Sequence, residues 1–281
     1  VDAGSDIFLT NSFGSNALRL KLHDCGNRAF DLSKISAEIA RDVADSYNRE
    51  VFVAGSVGPT GEIIKPIGEL SHELAVEVFH EQAQGLKEGG ADLLWLETIS
   101  DPEEFKAAAE AFSYIELPWV ATMSFDTAGR TMMGTSPAVM VDLISSIPNK
   151  PMAFGANCGI GAPDLLRTVQ EFAKSSPNSI LIAKGNAGIP KYVDGHILYD
   201  GTPALMAKYA VMARNSGAKI IGGCCGTKSE HLFSMRTALE NEDLGSVPSL
   251  QQVELEIGPF SAQIRKENEK QTFKRRRRQV K

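Results

Sequence analysis

A rhythm constrains the fold of this chain more than any single motif. Seven apolar, strand-length runs recur at 6–10, 51–55, 92–97, 119–125, 152–157, 180–184 and 219–222, each separated from the next by room for a helix. Amphipathic stretches fill several of the intervals, at 71–88, 102–112, 162–174 and 203–216. Strands alternating with helices are the signature of an α/β fold built on a parallel sheet. Every run also ends in small or polar residues, among them Thr10-Asn11-Ser12, Gly55-Ser56, Glu97-Thr98, Asn157-Cys158-Gly159 and Gly223-Cys224-Cys225.

A weak repeat adds to this. Gly89-Gly90-Ala91-Asp92 and Ser216-Gly217-Ala218-Lys219 each close a helix with glycine and launch a strand, as left-handed caps do, and Val1-Asp2-Ala3-Gly4-Ser5-Asp6 has the same form. The chain is thus expected to open at the end of a helix. Seven visible units and one absent make the eight that close a (β/α)8 barrel. The expected fold is a TIM-type α/β barrel over 1–245 that lacks its first βα unit, followed by an extension over 246–281. A doubly wound open sheet is the alternative, but no Gly-x-Gly-x-x-Gly fingerprint opens a helix.

Charge separates the two parts. Residues 261–281 hold nine Lys/Arg against two Glu, which leaves 20 basic against 33 acidic residues, a net of −13, for the remainder. The basic end is expected to be disordered and solvated, and no nucleic-acid partner is expected. No apolar run is long enough to cross a bilayer and the first residues carry no signal-like pattern, so the expectation is a soluble, cytoplasmic protein. Four cysteines are too few for a disulfide scaffold in a chain of this length, which reserves them for metal or catalysis.

Two of those cysteines are adjacent, in Ile220-Ile221-Gly222-Gly223-Cys224-Cys225-Gly226. Neighbouring strand residues point to opposite faces, but a glycine-flanked turn can bring both sulfurs to one centre. In a barrel the strand ends gather at one mouth, so Cys158 can join Cys224 and Cys225 there. Three thiolates leave one position of a tetrahedral zinc open, as catalytic sites do. Cys25 lies far from any strand end, and no histidine is assigned to the metal. Glu97 ends an apolar strand and is either a substrate carboxylate or a helix cap. Lys184 stands where a Schiff-base lyase would carry its nucleophile, or else forms a salt bridge or anchors a loop. Asp126 and Asn186 are expected to brace the mouth, Met132-Met133 to pack, and the stretches 126–136 and 185–199 to be loops that shape donor choice.

These residues resemble a known family, the zinc-dependent homocysteine S-methyltransferases. Gly155-Ala156-Asn157-Cys158-Gly159 and Gly222-Gly223-Cys224-Cys225-Gly226 look like its two zinc-ligand motifs; Leu9-Thr10-Asn11-Ser12-Phe13-Gly14, Gly55-Ser56-Val57-Gly58-Pro59-Thr60-Gly61 and Trp95-Leu96-Glu97-Thr98 look like its strand-end motifs. With Phe79-His80-Glu81-Gln82 and Tyr192-Val193-Asp194-Gly195-His196, the sequence is most similar to bacterial betaine–homocysteine methyltransferases. The resemblance implies zinc on Cys158, Cys224 and Cys225, homocysteine as methyl acceptor, a small donor such as betaine, and methionine as product. It further implies that Glu97 is the catalytic carboxylate and holds the homocysteine ammonium, with Thr10 and Asn157 also at the substrate. A homo-oligomer is a further expectation. Two departures stand out: the family's glycine-rich first-strand loop with its acidic residue is absent, and Gly14 stands where the mammalian betaine enzymes carry an aromatic donor-binding residue. S-methylmethionine and methylcobalamin are the alternative donors, although cobalamin-linked synthases continue into further modules that do not follow here. From other classes, a Lys184 lyase and an inactive barrel fragment remain open.

Overall fold

The seven apolar runs become one parallel sheet in the computed structural model, which describes residues 1–126, 128–193 and 195–261. In chain order the strands are β1 (Ile7–Leu9), β2 (Phe52–Val57), β3 (Leu93–Ile99), β4 (Trp119–Met123), β5 (Ala153–Cys158), β6 (Leu181–Gly185), β7 (Pro190–Val193), β8 (His196–Tyr199) and β9 (Ala218–Gly223). The helices are α1 (Ala17–Leu20), α2 (Ala29–Asp45), α3 (His72–Glu88), α4 (Pro102–Ser113), α5 (Pro137–Ser146), α6 (Ala162–Ser175), α7 (Pro203–Asn215), α8 (Ser229–Asn241) and α9 (Leu250–Ile257). The sheet runs β1-β2-β3-β4-β5-β6-β9, each strand parallel to its neighbour.

Strand alternation divides the apolar residues between two cores. Ala54, Leu93, Trp95, Val120, Ala153 and Ile182 meet inside the curl of the sheet. Their chain neighbours, such as Val53, Leu94 and Leu96, pack outward under the helices. A sheet buried on both faces in this way is an α/β array of TIM type. Among the described residues β1 and β9 do not pair with each other, so the array is a curled half-barrel. The space between these two strands is a cavity of about 510 Å³, with Trp95 and Lys184 in its wall.

Sequence punctuation sets the helix starts. Asp101-Pro102, Ser136-Pro137 and Thr202-Pro203 each place a capping side chain before a proline whose missing N–H costs nothing in the first turn. Ser71 caps α3, and Ser249 and Gln252 close a reciprocal box at α9. Helix α9 buries Val253 and Ile257 in the outer core, Gln170 donates to the Pro248 carbonyl at 2.8 Å and Ser261 N–H to Asp164 at 2.9 Å. The first part of the expected extension is thereby attached to α6. The basic stretch after Ser261 lies outside the described residues. No described helix is long and apolar enough to cross a membrane. One expectation fails: 185–199 is not all loop, because β7 and β8 pair as an antiparallel hairpin. The Met132-Met133 pair is exposed rather than packed.

A buried carboxyl fixes the loop after β2. Glu104 Oε1 accepts from Thr60 N–H at 2.8 Å and from Thr60 Oγ1 at 2.6 Å, and burial raises its pKa despite both bonds. A carboxyl raised in the folded state costs stability above its folded pKa, and the cost disappears as pH falls toward the unfolded value. Glu104→Gln keeps an acceptor for both donors and should therefore melt no lower than the parent at pH 7.5, with its margin shrinking toward pH 5. Glu104→Ala strands both donors and should cost on the order of 2–3 kcal/mol. Thermal melts at the two pH values check both outcomes.

Candidate metal centre

Two glycines let the thiols meet. In register, Cys158 of β5 lies beside Gly185 of β6, and Gly185 lies beside Gly223 of β9. No side chain stands between the strand that ends in Cys158 and the turn that carries Cys224 and Cys225. The backbone then bends: Cys158 has φ 58° and Gly159 φ 69°, a left-handed conformation that a residue with a side chain adopts only where its surroundings hold it. Cys224 N–H donates to the Gly185 carbonyl at 2.7 Å and Ala187 N–H to the Cys225 carbonyl at 2.9 Å, anchoring the second turn to β6.

The three sulfurs lie within 4.8 Å of one another, with Cys158 Sγ and Cys225 Sγ at 3.8 Å. Two sulfurs each bonded to a tetrahedral zinc at 2.3 Å stand about 3.8 Å apart. The Cys158–Cys225 pair therefore has the spacing that a tetrahedral zinc requires, and the trio could hold a soft metal ion. Hydrogen bonds from Cys158 and Cys224 hold the Cys225 thiol far below its ordinary value, while donation to Cys224 and Cys225 pushes Cys158 up. Burial raises the Tyr199 hydroxyl to about 12, with its hydrogen bond to Cys225 as the next cause; in the sequence this residue closes the 185–199 stretch expected to shape donor choice, with no part assigned at the thiols.

Amides brace the trio. Asn157 Oδ1 accepts from Thr98 N–H at 2.9 Å, and its Nδ2 donates to Thr98 Oγ1 at 2.8 Å and Cys224 Sγ at 3.7 Å. Thr98, a β-branched residue, is thus held at φ 64°. Asn186 Oδ1 accepts from Cys225 N–H at 3.1 Å and its Nδ2 donates to the Gly159 carbonyl at 2.8 Å, tying both thiol turns together. Of the two residues expected to brace the mouth, Asn186 makes these bonds; Asp126 Oδ1 has no partner among the described residues.

Glu97 is not a helix cap. Its Oε2 accepts from Lys184 Nζ at 2.7 Å and its Oε1 from Ser56 Oγ at 2.6 Å. Both charged residues are buried, and Lys184 lies 4.8 Å from the centre of the Trp95 ring. Lys184 stands in register with Asn157 on one side and Gly222 on the other, beside both thiol turns, so carboxylate and thiols share one mouth. Thr10 Oγ1 accepts from Ser56 N–H at 2.9 Å and pairs with Ser12 Oγ at 2.6 Å. Ser12 gives its own proton to the Ser56 carbonyl, so the Thr10 hydroxyl donates to Ser12 and is used in both directions. Cys25 stays outside the cluster. His231, the one buried histidine among the described residues, accepts from Lys228 N–H and donates to the Gly201 carbonyl, a purely structural use.

Fold and site together define a class: an α/β half-barrel with a three-thiol cluster, able to hold a metal ion, at the carboxyl ends of its strands. The profile of the homocysteine S-methyltransferases matches residues 1–239, and the chain belongs to that family. Crystal structures of the homocysteine methyltransferase MmuM from Escherichia coli are similar to it. The metallated form superposes with a TM-score of 0.70 at 24% identity and the oxidized form with 0.69 at 25%, each over 84% of this chain and 80% of that one. The family's substrates are homocysteine and a methyl donor.

Proposed function

We propose that this chain is a zinc-dependent methyltransferase that moves a methyl group from a small onium donor, glycine betaine first among them, to homocysteine. The observation that carries the reading is the convergence of Cys158, Cys224 and Cys225 beside a buried carboxylate. Zinc, when bound, would supply the Lewis acidity that brings the acceptor thiol, whose ordinary pKa is about 8.5, to thiolate at neutral pH. The residues of the chain do the rest. Cys158, Cys224 and Cys225 hold the ion, Asn157 and Asn186 fix the thiol turns, and Glu97 receives the acceptor's ammonium. The sulfur lone pair forms the S–CH3 bond as the donor's C–N bond breaks, its electron pair stays on nitrogen as a neutral tertiary amine, and the thiol proton leaves to solvent. A reducing compartment such as the cytoplasm suits four free thiols.

The metallated MmuM form supports a metal in the matching fold, and the all-sulfur donor set favours zinc. The Lys184 lyase reading is disfavoured by the 2.7 Å ion pair with Glu97, because a Schiff base needs the neutral amine. The test is metal analysis of the purified chain, followed by homocysteine assays with betaine, S-methylmethionine and methylcobalamin supplied separately. One zinc per chain and methionine formed from betaine are expected. Absence of zinc sinks the reading; methionine formed only from another donor sinks the betaine assignment alone.

A further inference from the structure

The mouth contains an ion pair that the fold does not need. Lys184 and Glu97 have side chains only 9% and 10% exposed. Burying two charges costs several kcal/mol per ion before their attraction is counted, and apolar residues of equal volume often serve stability as well or better. Placement is the informative feature. The pair sits inside the curl of the sheet, at the end that holds the thiols, and three polar side chains at that end already have hydrogen-bond partners. The Thr10 hydroxyl is spent between Ser56 and Ser12, Asn157 between Thr98 and Cys224, and Asn186 between Gly159 and Cys225. The charged pair keeps spare capacity. A carboxylate oxygen has two lone pairs, and an ammonium has three donors, of which the Glu97 bond takes one.

We infer that the Glu97–Lys184 pair reads the zwitterion of the acceptor amino acid, Glu97 taking its ammonium and Lys184 its carboxylate. This rests on the acceptor being a thiol amino acid, as proposed above. A zwitterion lying against an ion pair places each charge beside its opposite, and neither protein charge is left unpaired when the ligand departs. The Trp95 ring against Lys184 and the Ser56 hydroxyl on Glu97 fix the position of each head from its other side. Lys184 is therefore a recognition residue for the carboxylate, distinct from a lysine that merely orients Glu97.

The experiment measures equilibrium binding by calorimetry to the zinc-loaded chain. Its ligands are homocysteine, 4-mercaptobutanoate, which lacks the ammonium, and 3-aminopropanethiol, which lacks the carboxylate. Lys184→Met should weaken homocysteine and 4-mercaptobutanoate by about 10- to 100-fold, the worth of a charge-assisted hydrogen bond. The same variant should bind 3-aminopropanethiol as tightly as the parent or more so, because Glu97 loses its competing cation. Lys184→Arg keeps a cation and should recover part of the loss for the two carboxylate-bearing ligands only; it also serves should the Met variant fold poorly. Equal weakening of 3-aminopropanethiol would overturn the proposal and reduce Lys184 to a prop for Glu97, as would no change for any ligand. If the parent chain binds zinc but none of the three thiols, the homocysteine reading itself has failed; if it binds 3-aminopropanethiol and homocysteine equally well, only the carboxylate assignment has.

Discussion

Purified from zinc-supplemented medium, Cys158→Ala and Cys224→Ala proteins are each expected to hold less than about a tenth of the zinc of the parent chain under competition with a chelator. Outer-shell partners of metal ligands alone are worth 10–100-fold in affinity, so deletion of a direct ligand should cost at least about 100-fold. Methyl transfer should fall with the metal. Alanine at 158 should do this without unfolding the chain, because the thiol is only partly buried and the outer core does not depend on it. Cys25→Ala provides the control: this cysteine is also partly buried and free, lies outside the cluster, and its loss should leave zinc at the parental level. Full metal content in both ligand variants would remove the basis for a three-thiol centre, whatever the family relationship says about ancestry.

How far the sequence carries depends on whether a residue's partner is set by periodicity or by geometry. All seven sheet strands were legible as apolar runs, the five between β1 and β9 because they are buried on both faces, and α3, α4, α6 and α7 were legible from their amphipathic period and start signals. The convergence of Cys158 with Cys224 and Cys225 was legible for a similar reason, since parallel strands bring all their carboxyl ends to one side. The hairpin β7–β8 was less legible, because Asp194-Gly195 between two β-forming runs is a short-range hairpin signal but Ile197-Leu198-Tyr199 lacks the alternation of a half-buried strand. A salt bridge at Lys184 was legible as one of its readings, but Glu97 as its partner was out of reach. Those residues are 87 apart in the chain, and nothing in either run says that β3 and β6 face each other across the curl. The left-handed turns at Thr98 and Cys158 were equally hidden, because neither residue type announces a positive φ.

The largest loss of stability should come from one methyl group at Gly155. This glycine lies mid-strand in β5, paired with Thr122 on one side and Ile182 on the other, and a Cβ built there would stand 2.0 Å from the Ile182 carbonyl oxygen and 2.7 Å from the carbonyl carbon and amide nitrogen of the same residue. Those atoms are ladder backbone, which cannot swing aside as a side chain could. Gly155→Ala must therefore separate β5 from β6, the two strands that deliver Cys158 and Lys184. A cost of roughly 3 kcal/mol or more is expected, which for a chain of this size lowers the melting temperature by roughly 5–10 °C, and bound zinc should fall with it. Gly222 is the matched comparison, a glycine in a parallel strand two residues before Cys224. A Cβ there meets nothing nearer than Lys184 Cγ at 3.6 Å, an ordinary contact, so Gly222→Ala should stay within about 1 kcal/mol of the parent. Both glycines stand in motifs of the same form in the sequence, yet only one is required by the backbone beside it. If the two alanine variants melt together, the close packing of β5 on β6 is wrong, and the convergence of the thiols that depends on it loses its support.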